Sequence, residues 1–140
     1  MPGMRRVVLV MLVVAIVLDV AYWALWFSDR SFLASDTRAA YYEFEDAFPL
    51  ADAWLGIACV AAFVTLLRRM PSALFWLVAA GASGLYLFGM DFLYDVEHGI
   101  FTQGGGGATE AVIVALTLVF SVTALRYAWR HRAELLAGRG

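Results

Sequence analysis

Four long apolar runs organise the chain, about Val7 to Phe27, Leu50 to Leu67, Ala73 to Tyr94 and Ala108 to Trp129. Each is close to the ~20 residues that a helix needs to cross a hydrocarbon core. The pattern predicts an all-α integral membrane protein, with residues 1–140 forming one four-span helical bundle. Arg5 and Arg6 precede the first run as they would in a secretory signal. Asp19 and "YWALWF" follow where a small-residue cleavage site belongs, so this run reads as a retained span.

The polar joins between the runs are unequal. "RRMPS" between the second and third is short enough to make those two helices antiparallel neighbours, with Pro71 suited to a helix start. Residues 28–48 form a long first outer loop in which "SDTRAAYYEFEDAF" predicts a short interfacial helix capped by Ser35. Asp46 is placed to cap the second span just before Pro49. "GGGG" at Gly104–Gly107 reads as a flexible connector ahead of the last span, with a mobile lid as the functional alternative.

Composition agrees with the pattern. The chain is 63% hydrophobic and 16% charged with a mean hydropathy of +0.76, against about 45–50% and 25% in soluble domains. All ten basic residues are arginines. Arg5 and Arg6 precede the first span, Arg68 and Arg69 join the second to the third, and Arg126, Arg130, Arg132 and Arg139 close or follow the fourth. The positive-inside rule then predicts a multi-pass protein of the cell membrane with both termini cytoplasmic. On that orientation eleven of the twelve carboxylates, all but Glu134, fall on the outer side or in the outer half of the spans.

Helical spacing brings these acids to particular faces. Gly84, Asp91 and His98 recur every seven residues and Asp95 lies four beyond Asp91, so all share one face if the helix continues past Tyr94. Ala80 and Gly81 extend that face with small residues, which let a neighbouring backbone approach and point Asp91 into the bundle. Asp52 shares a face with Gly56 and Cys59, and Glu110 with Thr117 and Ser121. Asp19 is the deepest acid, ~12 Å below the outer end of its helix at ~1.5 Å per residue. Cys59, Tyr86 and Thr117 are its expected neighbours at that depth.

An ionisable group inside a span costs ~2.5 kcal/mol or more at the helix centre and by default marks function. Converging carboxylates repel one another unless they share protons or hold a cation. The expected site therefore comprises Asp52, Asp91, Asp95, His98, Asp19, Glu110 and Glu45. It faces outward and binds a cation, a proton or a cationic small molecule in a transport, sensing or binding component. Asp95 and His98 have the carboxylate-x-x-His spacing of carboxylate-bridged metal bundles, which makes Asp91, Asp95 and His98 a candidate set for a single divalent metal ion.

Two other readings compete. The protein is alternatively a structural or accessory membrane subunit whose polar groups lock helix packing, or a lipid-modifying enzyme with Asp91 or Asp52 as acid or base. The single cysteine, Cys59, excludes two-cysteine redox chemistry. His98 and His131 belong to opposite membrane faces and so cannot pair on one haem. There is no convergent nucleophile triad, no phosphate loop and no basic patch for nucleic acid. The bilayer is the partner the composition demands. A homodimer or a larger membrane complex is expected because 140 residues leave a lone bundle little room for a pathway.

Overall fold

The computed structural model describes residues 2–138. Arg139, one of the arginines in the orientation argument, lies outside the described residues. Six helices follow in order: α1 Pro2–Asp29, α2 Ala39–Glu45, α3 Pro49–Leu67, α4 Ala73–His98, α5 Gly104–Arg130 and α6 Arg132–Ala137, with single 3-10 turns at Arg30–Phe32 and Ile100–Thr102. No strand occurs among the described residues. Four stretches, Gly3–Phe32, Ala39–Leu67, Ala73–His98 and Gly104–Arg130, are long and apolar enough to cross a membrane.

The helices run antiparallel. Near the start of α1, the Arg5 guanidinium donates to the carbonyls of Leu66 and Leu67 at the end of α3 (3.0 and 3.1 Å), serving acceptors that a helix C-terminus leaves open. At the other end, the Trp23 indole of α1 reaches Asp52 in the first turn of α3. α4 lies between α3 and α5, while α1 packs along α3 and meets α5 only briefly. The α3–α4 turn is tight, with the Arg69 backbone in the left-handed region (φ 54°) and the Met70 N–H donating to the Thr65 carbonyl at 2.9 Å.

Small residues set the helix spacing. A Cβ on Gly84 would lie 2.5 Å from Ser121 Oγ, and one on Gly81 would lie 2.7 Å from Leu125 Cγ. The glycine face expected on α4 is therefore the face that meets α5. α4 continues past Tyr94 to His98, where Gly99 in the left-handed region (φ 68°) ends it, a conformation that glycine adopts without penalty.

Two apolar clusters form the interior. One packs Val8, Leu12, Ala58, Ala62, Leu77, Phe120 and Ala128. The other gathers Trp26, Tyr41 and Ile100 beneath α2, with Tyr22, Trp23 and Tyr94 against them. Large apolar side chains such as Val10, Phe75 and Val119 remain exposed around the outside, as hydrocarbon-facing surfaces require.

Three local expectations are corrected. Gly104–Gly107 are not a free connector but the first turn of α5. Gly106 packs on Ser35, whose Cα would be 3.0 Å from an added Cβ, and Gly107 packs on the backbone of Ile100 and Phe101. Ser35 does not cap α2, whose N-cap is Arg38; its hydroxyl is used across the fold. Asp46 ends α2 instead of opening α3, whose N-cap is Phe48.

Candidate functional site

Three acids, Glu45, Asp95 and Glu110, are buried within the helical part of the chain. Asp91 and Asp95 are one turn apart on α4, and Asp95 is only 2% exposed. The Oδ2 atom of Asp95 is buried and has no hydrogen-bond partner among the described residues. Such an orphan is costly, because burying a polar group without compensation typically costs ~1–3 kcal/mol.

The other acids are held by donors from elsewhere in the chain. Glu110 of α5 is buried and accepts the Ser35 hydroxyl at 2.7 Å. The Ser35 backbone N–H in turn donates to Tyr41 Oη at 3.2 Å. Glu45, the last residue of α2, accepts Tyr22 Oη at 3.0 Å, and Asp52 accepts Trp23 Nε1 at 3.0 Å. Asp46 accepts Trp26 Nε1 at 3.3 Å and lies 3.6 Å from the Arg30 guanidinium at the rim. Tyr22, Trp23 and Trp26 thus act as one set of donors, each fixing a different carboxylate. Helical spacing alone could have found them, since positions i, i+1 and i+4 of α1 turn towards one side.

Asp91 lies within electrostatic range of Glu45, Asp52, Asp95 and Glu110, and Glu45 within that of Asp95 and Glu110. Of the sequence-derived acids, Glu45, Asp95 and Glu110 are buried and Asp52 and Asp91 are half-buried. Asp19 adjoins this group through Asp52 and Cys59. No arginine enters. The ion pairs among the described residues are Arg30–Asp46, Arg38–Asp36 and His131–Glu134, all outside the group.

The Asp36–Arg38 pair sits in the loop above. Burial pushes the Asp36 carboxyl up, but the Arg38 side chain and the Thr37 and Arg38 backbone N–H groups outweigh it and hold Asp36 below the usual carboxylate range. The Arg38 guanidinium also donates to the His98 carbonyl at 3.2 Å, closing the loop onto the end of α4.

Two expected constellations are not assembled. Among the described residues no three His, Cys, Asp or Glu side chains come together as a metal-holding group. His98 turns away from the set with Asp91 and Asp95: its Nδ1 lies 2.9 Å from the Tyr94 carbonyl and its ring stacks on Tyr94 at 4.0 Å. For Asp19, only Cys59 of the expected neighbours is near. Tyr86 is 68% exposed on the bundle surface and Thr117 donates to the Ile113 carbonyl. Asp19 instead lies against the backbone of Gly56, where an added Cβ would be 2.6 Å from its Oδ2.

Of the hydroxyls that hinted at a polar path, Thr65, Thr117 and Ser121 each bond a carbonyl one turn earlier, and Ser83 accepts from Trp54 Nε1 at 3.1 Å. None is free to line a path. Fold and acids together define an all-helical chain with four membrane-length helices and a group of buried carboxyls lacking basic partners. No family model, curated protein or solved structure matches the chain.

Proposed function

We propose that this is a multi-pass membrane protein, with both termini cytoplasmic, whose outward carboxylate layer binds a cation, a proton or a cationic small molecule as a transport, sensing or binding component. One observation carries the reading. Glu45, Asp95 and Glu110 are buried without an ion pair among the described residues, and one Asp95 oxygen is unpartnered. Two ionised carboxylates ~4 Å apart repel by ~4 kcal/mol at an effective dielectric of ~20. The layer is relieved by protons or by a bound cation, and the two compete for the same oxygens.

The structural-subunit reading has its own support. The Tyr22–Glu45, Trp23–Asp52 and Ser35–Glu110 bonds each tie distant segments, as packing locks would. Thermal unfolding in detergent separates the two for the wild type, Asp91→Asn and Asp95→Asn, with sodium, calcium or tetramethylammonium added at several pH values. A binding site gives a melting temperature that rises with at least one cation, more strongly at higher pH, and loses that response in both variants. A structural layer gives no cation response and variants that are neutral or more stable, because removing an uncompensated buried charge relieves desolvation.

A further inference from the structure

Beside the carboxylate layer, α1 and α3 border a groove of about 860 Å³ on the outer surface of the bundle. That volume is within the ~300–1,000 Å³ typical of small-molecule sites. Its walls include Ile16 and Val20 of α1 and Ile57, Val60, Ala61 and Val64 of α3, of which Val20, Ile57 and Val60 are exposed. The groove therefore opens sideways, towards hydrocarbon.

One carboxylate stands in these apolar walls. Asp19 is half-buried, lies on the Gly56 backbone, and has no hydrogen bond or ion pair among the described residues. Trp23 lines the same groove and donates its indole N–H to Asp52, and the charges of Asp19 and Asp52 interact. A carboxylate and an indole lining one apolar groove are the chemistry that takes an ammonium head, by charge and by cation–π contact. From Gly56 to Arg68, which closes the far end, α3 runs roughly 18 Å at ~1.5 Å per residue, enough for an extended dodecyl chain.

We propose that the α1–α3 groove binds a single-chain amphiphilic cation, an alkylammonium whose head lies between Asp19 and the Trp23 ring and whose chain runs along Val60, Ala61 and Val64. This inference rests on the cation-binding reading above and narrows it to a class of ligand.

The test uses the full chain in nanodiscs, with empty nanodiscs as background, and three probes: dodecyltrimethylammonium, tetramethylammonium and uncharged dodecanol. Binding is read by tryptophan fluorescence, and oligomeric state by mass photometry. Dodecyltrimethylammonium should bind more tightly than either other probe. Its binding should weaken about tenfold or more in Asp19→Asn and in Ala61→Trp, which fills the groove away from the acids. Val60→Trp, at an exposed position, gives the same readout should Ala61→Trp unfold.

Four results overturn the inference. Dodecanol binding as tightly as the cation, with Asp19→Asn neutral, makes the groove a seat for ordinary lipid chains. Loss of an oligomer in Ala61→Trp or Val60→Trp makes it an interface between copies of this chain. Tetramethylammonium binding that is lost in Asp95→Asn, with no gain from the dodecyl chain, removes the groove and leaves the carboxylate-layer reading intact. Binding of neither cation removes both.

Discussion

Gly84→Ala tests the packing that holds α4 against α5. The added Cβ would sit 2.5 Å from Ser121 Oγ, nearly an ångström inside ordinary van der Waals contact of 3.4–4 Å. Ser121 is fully buried and its hydroxyl donates to the Thr117 carbonyl at 2.7 Å, so the helices must part or the hydroxyl must leave its acceptor. Overpacking typically costs ~1–3 kcal/mol, and a hydrogen bond within a membrane ~0.6 kcal/mol. Against this, alanine gains up to ~1 kcal/mol in helix propensity over glycine. The net expectation is a loss of roughly 1–2 kcal/mol. In a Ser121→Ala background the clashing oxygen is gone and the next contact, Phe120 Cδ1 at 3.6 Å, is ordinary. There Gly84→Ala should be neutral or stabilising. Reversible unfolding in mixed micelles of all four proteins closes the double-mutant cycle, and the coupling should be about 2 kcal/mol. Additive effects, or an unchanged single variant, would refute the close approach.

Four further outcomes are expected. Ser35→Ala removes the donor to buried Glu110 and should lower stability by ~1–2 kcal/mol. Thr109→Ala, at an exposed hydroxyl that reaches only the Gly105 carbonyl, should stay within ~0.5 kcal/mol of wild type. Because Asp36 is held below its ordinary 3.8 in the folded state, its contribution is present above that value and disappears as pH falls below it. The stability gap between wild type and Asp36→Asn should therefore be about 1 kcal/mol near neutrality and close in acid, since the Arg38 partner is half-exposed and such pairs contribute ~1 kcal/mol or less; a gap unchanged by pH contradicts the pairing. Gly105→Cys should react with an impermeant maleimide in intact cells and Met70→Cys only after lysis, with buried Cys59 silent. Reversed labelling would put the carboxylate layer at the cytoplasmic face.

Apolar runs near twenty residues long were enough to read four membrane-length helices, because hydrocarbon thickness constrains length so strongly. The α4 face carrying Gly84, Asp91 and Asp95 was legible for a related reason: helical periodicity and small residues together say which side can be approached. The α2 start, the glycine run and the Asp46 cap were misread. Each depends on contacts between segments far apart in the chain, such as Ser35 with Gly106 and Asp46 with Trp26. Propensity favoured Ser35 as a cap, yet a buried glutamate had a stronger claim on its hydroxyl. His98 had the right helical spacing for a metal ligand, but a spacing argument cannot see the Tyr94 ring on which the imidazole stacks.

Proton release on cation binding reports on the carboxylates themselves, since protons and cations are held to share them. Purified protein in weakly buffered detergent solution is mixed with sodium, calcium or tetramethylammonium salts at constant ionic strength, and pH is followed. The account predicts that at least one cation releases protons from the wild type and from Glu134→Gln, whose carboxylate lies at the other end of the bundle beside His131. Release should be strongly reduced in Asp95→Asn and abolished in Asp91→Asn with Asp95→Asn. No release with any cation, or equal release from the wild type and the double variant, would contradict it.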